Sequence, residues 1–354
     1  MATLHQVTEG TKKILVFAGI GVGVLICLIL IIQIFVNIKD YFFPAAPTAP
    51  TVAFGKLPTV IFPENSMDLT KLSYSLTTVS GGIPLFDNKV AVYKITPPQP
   101  SLLQFQKTQN LATKLGFTGT ATTLNDAQFS WDQSPTGSSF VSKKLIFNIA
   151  TLNFSLTSNY VNNASIAAAP NLPDQPGAIQ LAKTFLTNMN SFPTDIDESK
   201  TIAQIFSLQN GVLIPATSLS KTQIIKVNFF QSDINQLPIV YTHSPNSSLN
   251  VVIGGGPAAS DIVEAAYFHQ MVDTSQNATY PLKTSQQAFD ELKAGKAYIA
   301  SYDSTLTNVI IRNVSLGYFL GETNQSYAWP VVVFQGDNNF YAYVPAIATA
   351  WIGN

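Results

Sequence analysis

The stretch VVIGGGPAA, residues 251–259, decides what kind of chain this is. Gly254, Gly256 and Ala259 keep the G-x-G-x-x-A spacing with which a strand, a tight turn and a helix N-terminus cradle a dinucleotide pyrophosphate. That chemistry also needs a second apolar strand after the helix, carrying an acidic residue near its end. DIVEAAYFHQM (261–271) could form the helix, but the chain then reads VDTSQNATYPLKT, a polar loop running into Pro281. Asp273 has a tempting separation and no strand to carry it. The residues left after 259 are too few for a whole dinucleotide domain. The competing reading is a β-hairpin in which VVI enters, GGGPAAS turns and DIVEAAYFHQMV returns, the glycines supplying positive φ. The residues favour the hairpin, and with it antiparallel sheet and no cofactor.

Upstream, ILVFAGIGVGVLICLILIIQIFV fills residues 14–36 with one polar member, Gln33. At about 1.5 Å per residue this run is long enough for a bilayer core of roughly 30 Å. It is too long for the apolar region of a signal peptide and no small-x-small cleavage site follows, so it reads as an uncleaved transmembrane helix. Lys12 and Lys13 before it place the N-terminus in the cytoplasm and the rest outside, by the positive-inside bias. Gly19 and Gly23 form a small-xxx-small pair, a possible helix–helix contact within the membrane.

Composition narrows the function. Of 354 residues, 46% are apolar but only 11% charged, with 19 Lys and Arg against 20 Asp and Glu. No basic patch is available for nucleic acid. Arg312 is the only arginine, which rules out a cluster of guanidinium forks. The single cysteine, Cys27, lies inside the apolar run, so the outer part has neither disulfides nor a cysteine-based metal site or nucleophile.

The expected organisation is a cytoplasmic tail (1–13), the transmembrane helix (14–36), a Pro-rich linker (37–58), a first α+β outer domain (59–230) and a second (231–354). Helices are expected from Ser101 to Leu115, at 178–189 after Asp174 and Pro176, and from Thr284 or Ser285 to Gly295 with Ala288, Phe289 and Leu292 inward. Strands are expected at 89–95, around 129–131, at 143–160 as a hairpin or bent strand, and around 211–214, 223–230 and 238–242. More strands close the chain, with GDNN (336–339) as a hairpin turn. The fold class is α+β: antiparallel sheets each packed with one or two helices. A strand, a helix and then several strands recur loosely in both halves.

Catalytic and metal signals are sparse. His5, His243 and His269 have no metal spacing and read as surface or half-buried residues; no H-E-x-x-H and no G-x-S-x-G occurs. Asp195, Asp197 and Glu198 cluster without the glycine-bearing loop of an EF-hand. Asn153, Asn163, Asn246, Asn277, Asn313 and Asn324 head N-x-S/T triplets, unsurprising in so Asn-, Ser- and Thr-rich a chain. No catalytic, cofactor or metal residue is assigned.

The segment TYPLKTSQQAFDELKAGKAYIA (279–300), with the strands through FYAYVPAI (340–347), resembles the PepSY-like modules of bacterial membrane-anchored proteins. It also resembles the outer domains of the YycH/YycI type, accessory regulators of a cell-wall-sensing histidine kinase. The resemblance rests on the Tyr-Pro-Leu-Lys-Thr start, the short amphipathic helix, Gly295-Lys296 and the closing Val-Pro-Ala-Ile, and covers roughly residues 235–350. It implies a short tail, one membrane helix and a non-catalytic α+β outer region. The expectation is a single-pass plasma-membrane protein, not an enzyme. Its outer region would sense, regulate or scaffold a cell-envelope complex through a membrane or envelope protein partner. The alternatives are a structural subunit of a surface homo-oligomer and an envelope hydrolase with a dispersed site.

Overall fold

The computed structural model describes residues 4–42, 48–64, 72–78, 81–135, 141–168, 171–256, 259–305 and 307–353. The chain divides into two compact units, Met1–Ala49 and Pro50–Asn354. The first holds helix α1 (Leu4–Phe42). Its stretch Leu15–Phe35 has a mean hydropathy of 3.1, long and apolar enough to span a membrane. Gly19 and Gly23 lie one turn apart on it, with open space where a Cβ would stand.

The second unit begins earlier than the expected end of the linker. The Val52 N–H donates to the Thr279 carbonyl, and Leu57 is fully buried beside Ile352. Its elements run β1 (Ser73–Leu76), β2 (Lys89–Thr96), α2 (Gln104–Lys114), β3 (Thr122–Thr123), β4 (Gln128–Gln133), β5 (Lys143–Asn148) and β6 (Phe154–Ser158). There follow α3 (Ala164–Ala168), α4 (Gln175–Asn188), β7 (Ile202–Gln209), β8 (Val212–Pro215), β9 (Ile224–Phe229), β10 (Ile239–Tyr241), β11 (Leu249–Gly254) and β12 (Asp261–Tyr267). The chain closes with β13 (Met271–Pro281), α5 (Ser285–Lys293), β14 (Tyr298–Ser301), β15 (Asn308–Leu320), β16 (Tyr327–Gly336) and β17 (Phe340–Pro345).

Two sheets result. The nine-stranded sheet has the order β3-β4-β5-β6-β12-β11-β9-β7-β8 and every pairing in it is antiparallel. The eight-stranded sheet takes β1, β2, β10 and β13 to β17. It is mixed rather than antiparallel, because β1 and β10 both lie parallel to the long β15. The strands also do not divide at residue 230. The chain passes between the sheets after β2, after β9, after β10 and after β12.

The glycine stretch is the hairpin. β11 pairs antiparallel with β12, Val252 opposite Glu264 and Gly254 opposite Asp261. Part of its turn, Pro257 and Ala258, lies outside the described residues. A Cβ on Gly254 would stand 2.9 Å from side-chain carbons of Ile166 and Val263, so close packing asks for glycine here, not the positive φ expected from the sequence, which Gly254 does not adopt. The polar loop expected after Met271 is instead β13, paired with β2 through a bulge between Asp273 and Asn277. Only Ala278 and Tyr280 of it are buried, which removes the apolar alternation by which strands are read.

Helix ends follow local chemistry. The Asp174 carboxylate caps α4 by accepting from the Gly177 N–H, with Pro176 in the first turn. Thr284 and Gln287 form a reciprocal capping box at α5, and Gly295 follows its end at φ +70°. α2 starts later than expected: Leu103 holds the cap position with no side-chain bond, and Leu102 and Leu103 are exposed. Asn338 and Asn339 both have positive φ, the signature of a tight hairpin turn between β16 and β17.

Ala178, Ala182, Phe185 and Leu186 of α4 and Ala112 of α2 share one apolar cluster with the nine-stranded sheet. Burial of a side chain the size of Leu186 contributes about 1.5–3 kcal/mol. Ala288, Phe289 and Leu292 of α5 join Val332, Phe334 and Val344 in another.

Candidate functional site

The nine-stranded sheet has two unlike faces. Directly opposed residues share a face, and the pairings Trp131–Leu145–Leu156–Ala265–Val251–Val227–Ala203 form an unbroken apolar row. All seven lie in the cluster that contains the α2 and α4 residues. The neighbouring row on the other face reads Ser130–Ile146–Ser155–Ala266–Asn250–Asn228. It is mostly polar, and Asn228 and Asn250 in it are buried. The Asn228 amide donates to Gln204 Oε1 at 3.2 Å, and its oxygen accepts the Ser247 N–H at 3.1 Å.

At the end of this polar face lies a cleft of about 470 Å³. Its floor is Gln128, Ile146, Asn148 and Ser155; Asn153, Phe268 and Leu124 line its sides. The loop Glu322–Asn324, which follows β15 of the other sheet, closes it. Among the described residues Glu322 is the one ionisable group in the lining. Burial pushes its carboxyl above the ordinary range, opposed by the nearby His243 ring. His243 Nε2 stands 3.7 Å from the carboxylate on an exposed side chain.

A second, smaller cleft of about 290 Å³ lies on the other side of Asn324, lined by Pro97, Pro98, Tyr267, His269, Gln270 and Ser326 among others. His269 is half-buried, and its Nε2 meets both oxygens of Asp195, at 2.8 and 3.1 Å. The Gln231 amide donates to Asp195 at 2.8 Å and to the Gln270 carbonyl at 3.1 Å. The Gln270 amide in turn donates to the Gly321 and Thr323 carbonyls, and its oxygen accepts the Gln325 N–H at 3.0 Å. Burial opposes the charge on Asp195, but the bonds from His269 and Gln231 outweigh it and hold its carboxyl below the ordinary value. Gln231, His269 and Gln270 all sit where the chain passes from one sheet to the other, so this network ties the seam together.

The residues singled out from sequence are scattered. Of the three neighbouring carboxylates, Asp195 turns to His269, Asp197 accepts from Ser199 beside Lys200, and Glu198 pairs with Lys183 at 2.6 Å. They converge on no common point. His5 has no described side chain. Asn153 is buried, its oxygen accepting the His269 N–H at 3.3 Å, while Asn324 lies at both clefts. Arg312 forms a two-pronged pair with Asp337 at 2.9 and 2.7 Å.

No protein-family model matches the chain, and no curated protein matches it. Among solved structures it is similar to an uncharacterized protein from Eubacterium rectale ATCC 33656, at 13% identity and a TM-score of 0.34, covering 77% of this chain and 87% of that one. It is also similar to the Bacillus megaterium YpeB C-terminal domain, at 11% identity and a TM-score of 0.32, covering 72% of this chain and 95% of that one.

Proposed function

We propose that this chain is a single-pass, membrane-anchored, non-enzymatic binding protein of the cell envelope. In this reading the outer unit senses, regulates or scaffolds an envelope complex by gripping a polar segment of its partner in the cleft beside Glu322. The observation that carries it is the cleft itself. Its volume falls within the ordinary range for ligand sites, roughly 300–1,000 Å³. It is built by strands β4 to β6 of the nine-stranded sheet and by the loop that follows β15, and is lined by amides and hydroxyls with apolar walls. The apolar helix α1 supports the anchor, and the PepSY-like segment of the last third supports a regulatory role.

A photo-reactive amino acid at Thr323, in intact cells, is expected to cross-link one envelope protein, and the same group at Val212 on the far edge strand is not. Equal labelling from both positions defeats the reading.

The Asp195–His269 pair favours a second reading, a hydrolase in which His269 acts as general base. No serine or threonine hydroxyl bonds to His269 among the described residues. Hydrolysis of ester or amide probes that His269→Gln abolishes, without loss of folding, would replace the first reading with the second.

A further inference from the structure

We infer that Glu322 makes the cleft selective for a primary ammonium group carried by a peptide. The inference rests on the binding role proposed for that cleft and goes further by naming what it binds. Four observations carry it. The cleft walls and floor offer amides, hydroxyls and hydrocarbon, and a single carboxylate. Among the described residues no lysine or arginine pairs with that carboxylate, and its nearest basic neighbour, the His243 ring, stands beyond hydrogen-bond distance on a side chain open to water. The carboxylate is nevertheless partly withdrawn from solvent, with 31% of the side chain exposed, and burial works against its charge. The other ionisable group facing it is Tyr298, whose phenol burial and the Glu322 charge together push up to about 12, so it stays neutral and brings no positive charge.

A carboxylate in this position lacks a counter-charge that an incoming cation would supply. An –NH3+ group is compact and brings three donors. One meets Glu322, and the remainder need neutral acceptors of the kind the Thr323 and Ser155 hydroxyls provide in the same lining. The amide oxygens of Gln128 and Asn148 already accept from Asn125, Ala150 and Thr151, and their amide nitrogens can donate to the C=O of a peptide main chain, with Leu124 and Phe268 as apolar walls for its side chains. Net charge gives the chain no long-range field to attract a cation, so selectivity has to be local.

Two sources share this chemistry, a free amino terminus and a lysine-type side chain. The test uses the full chain in detergent at pH 7 and three hexapeptides of one uncharged sequence. The first is blocked at both ends and contains one lysine. The second is the same with Nε-acetyllysine. The third keeps the acetyllysine but has a free amino terminus. Affinities are read by ligand-observed saturation-transfer NMR, for the parent chain, for Glu322→Gln and for Ser155→Trp, which fills the cleft floor.

At least one amine-bearing peptide is expected to bind about tenfold more tightly than the fully blocked one, as a single desolvated charge contact gives. Which one it is identifies the source. Glu322→Gln is expected to erase the difference while melting no lower than the parent, and Ser155→Trp to abolish binding of all three. If Ser155→Trp abolishes binding but the acetylated peptide binds equally well, or Glu322→Gln keeps the preference, the cleft stands and the ammonium selectivity is wrong. If Ser155→Trp leaves all three affinities unchanged, the cleft is wrong and the inference goes with it. No binding of any of the three to the parent chain also overturns the inference.

Discussion

The two sheets solve burial differently. β16 of the eight-stranded sheet is buried almost throughout, with Trp329, Val331 and Val333 in one apolar cluster and Val332 and Phe334 in another. That sheet is closed on both faces there. The nine-stranded sheet buries the row through Trp131 and Val251 in the cluster shared with two helices; its other face is divided between a small apolar cluster of Ile224 and Val252 with Tyr160 and Ile166 and the mostly polar row through Ser130 and Asn250. An apolar face is satisfied by hydrocarbon of the right shape, whereas a polar face needs partners for each group. The cleft lies at the polar end of that face, against the loop after β15.

The comparison can be broken by substitution. The largest effect is expected in β16, where Phe334→Ala should cost about 3–5 kcal/mol by denaturant unfolding of the full chain in detergent. A loss below about 1 kcal/mol would mean that strand is not closed on both faces. Leu186→Ala, on the helix-covered face of the nine-stranded sheet, should cost about 2–4 kcal/mol. Asp195→Asn, at the seam, should cost about 2 kcal/mol at pH 7 by weakening two charge-assisted bonds. Asp195 titrates below its ordinary value in the folded chain. Its stabilisation is therefore present above the ordinary carboxylate pKa of 3.8 and lost as pH falls through the lower folded value. The gap between parent and variant should close only in that acid range, and a gap unaltered at lower pH would exclude the ionised carboxylate as its cause. Asp174→Ala should cost about 1 kcal/mol through the lost cap.

Glu322→Gln, on the polar face, should be neutral or mildly stabilising at pH 7. The folded-state pKa of Glu322 is raised, so its favourable contribution is present below the unfolded value and lost as pH rises through the folded one. Any advantage of the glutamine should therefore disappear on acidification. A lower melting midpoint for the glutamine variant at pH 7 would make Glu322 a structural residue and dissolve the contrast between the faces.

What could be read from the sequence had local causes. The caps at Asp174 and Thr284, the turn at Asn338–Asn339, the apolar run in α1 and the β11–β12 hairpin each sit within a few residues of their signal. What could not be read depends on distant partners. β7 and β13 carry too few buried alternating residues to stand out, and their neighbours in the sheets lie elsewhere in the chain. The boundary expected near residue 230 failed to anticipate that β11 and β12 return to the nine-stranded sheet. Asp195 and His269, 74 positions apart, looked like a loop carboxylate and an isolated ring because nothing local links them. Glu322 carried no signal at all, since its character comes from the cleft around it.

The order of strands has a consequence for how the chain is made. All nine strands of one sheet fall between Thr122 and Tyr267, so every strand of that sheet is synthesised before β13 begins at Met271. β1 emerges far earlier than its partner, with Ser73 bonding to Asn308 across 235 positions. Until translation reaches β13 and β15, the first two strands have no mate and present bare edges. The eight-stranded sheet therefore zips up last, and a released chain cut short before β13 would hold all nine strands of one sheet and three waiting strands of the other, β1, β2 and β10.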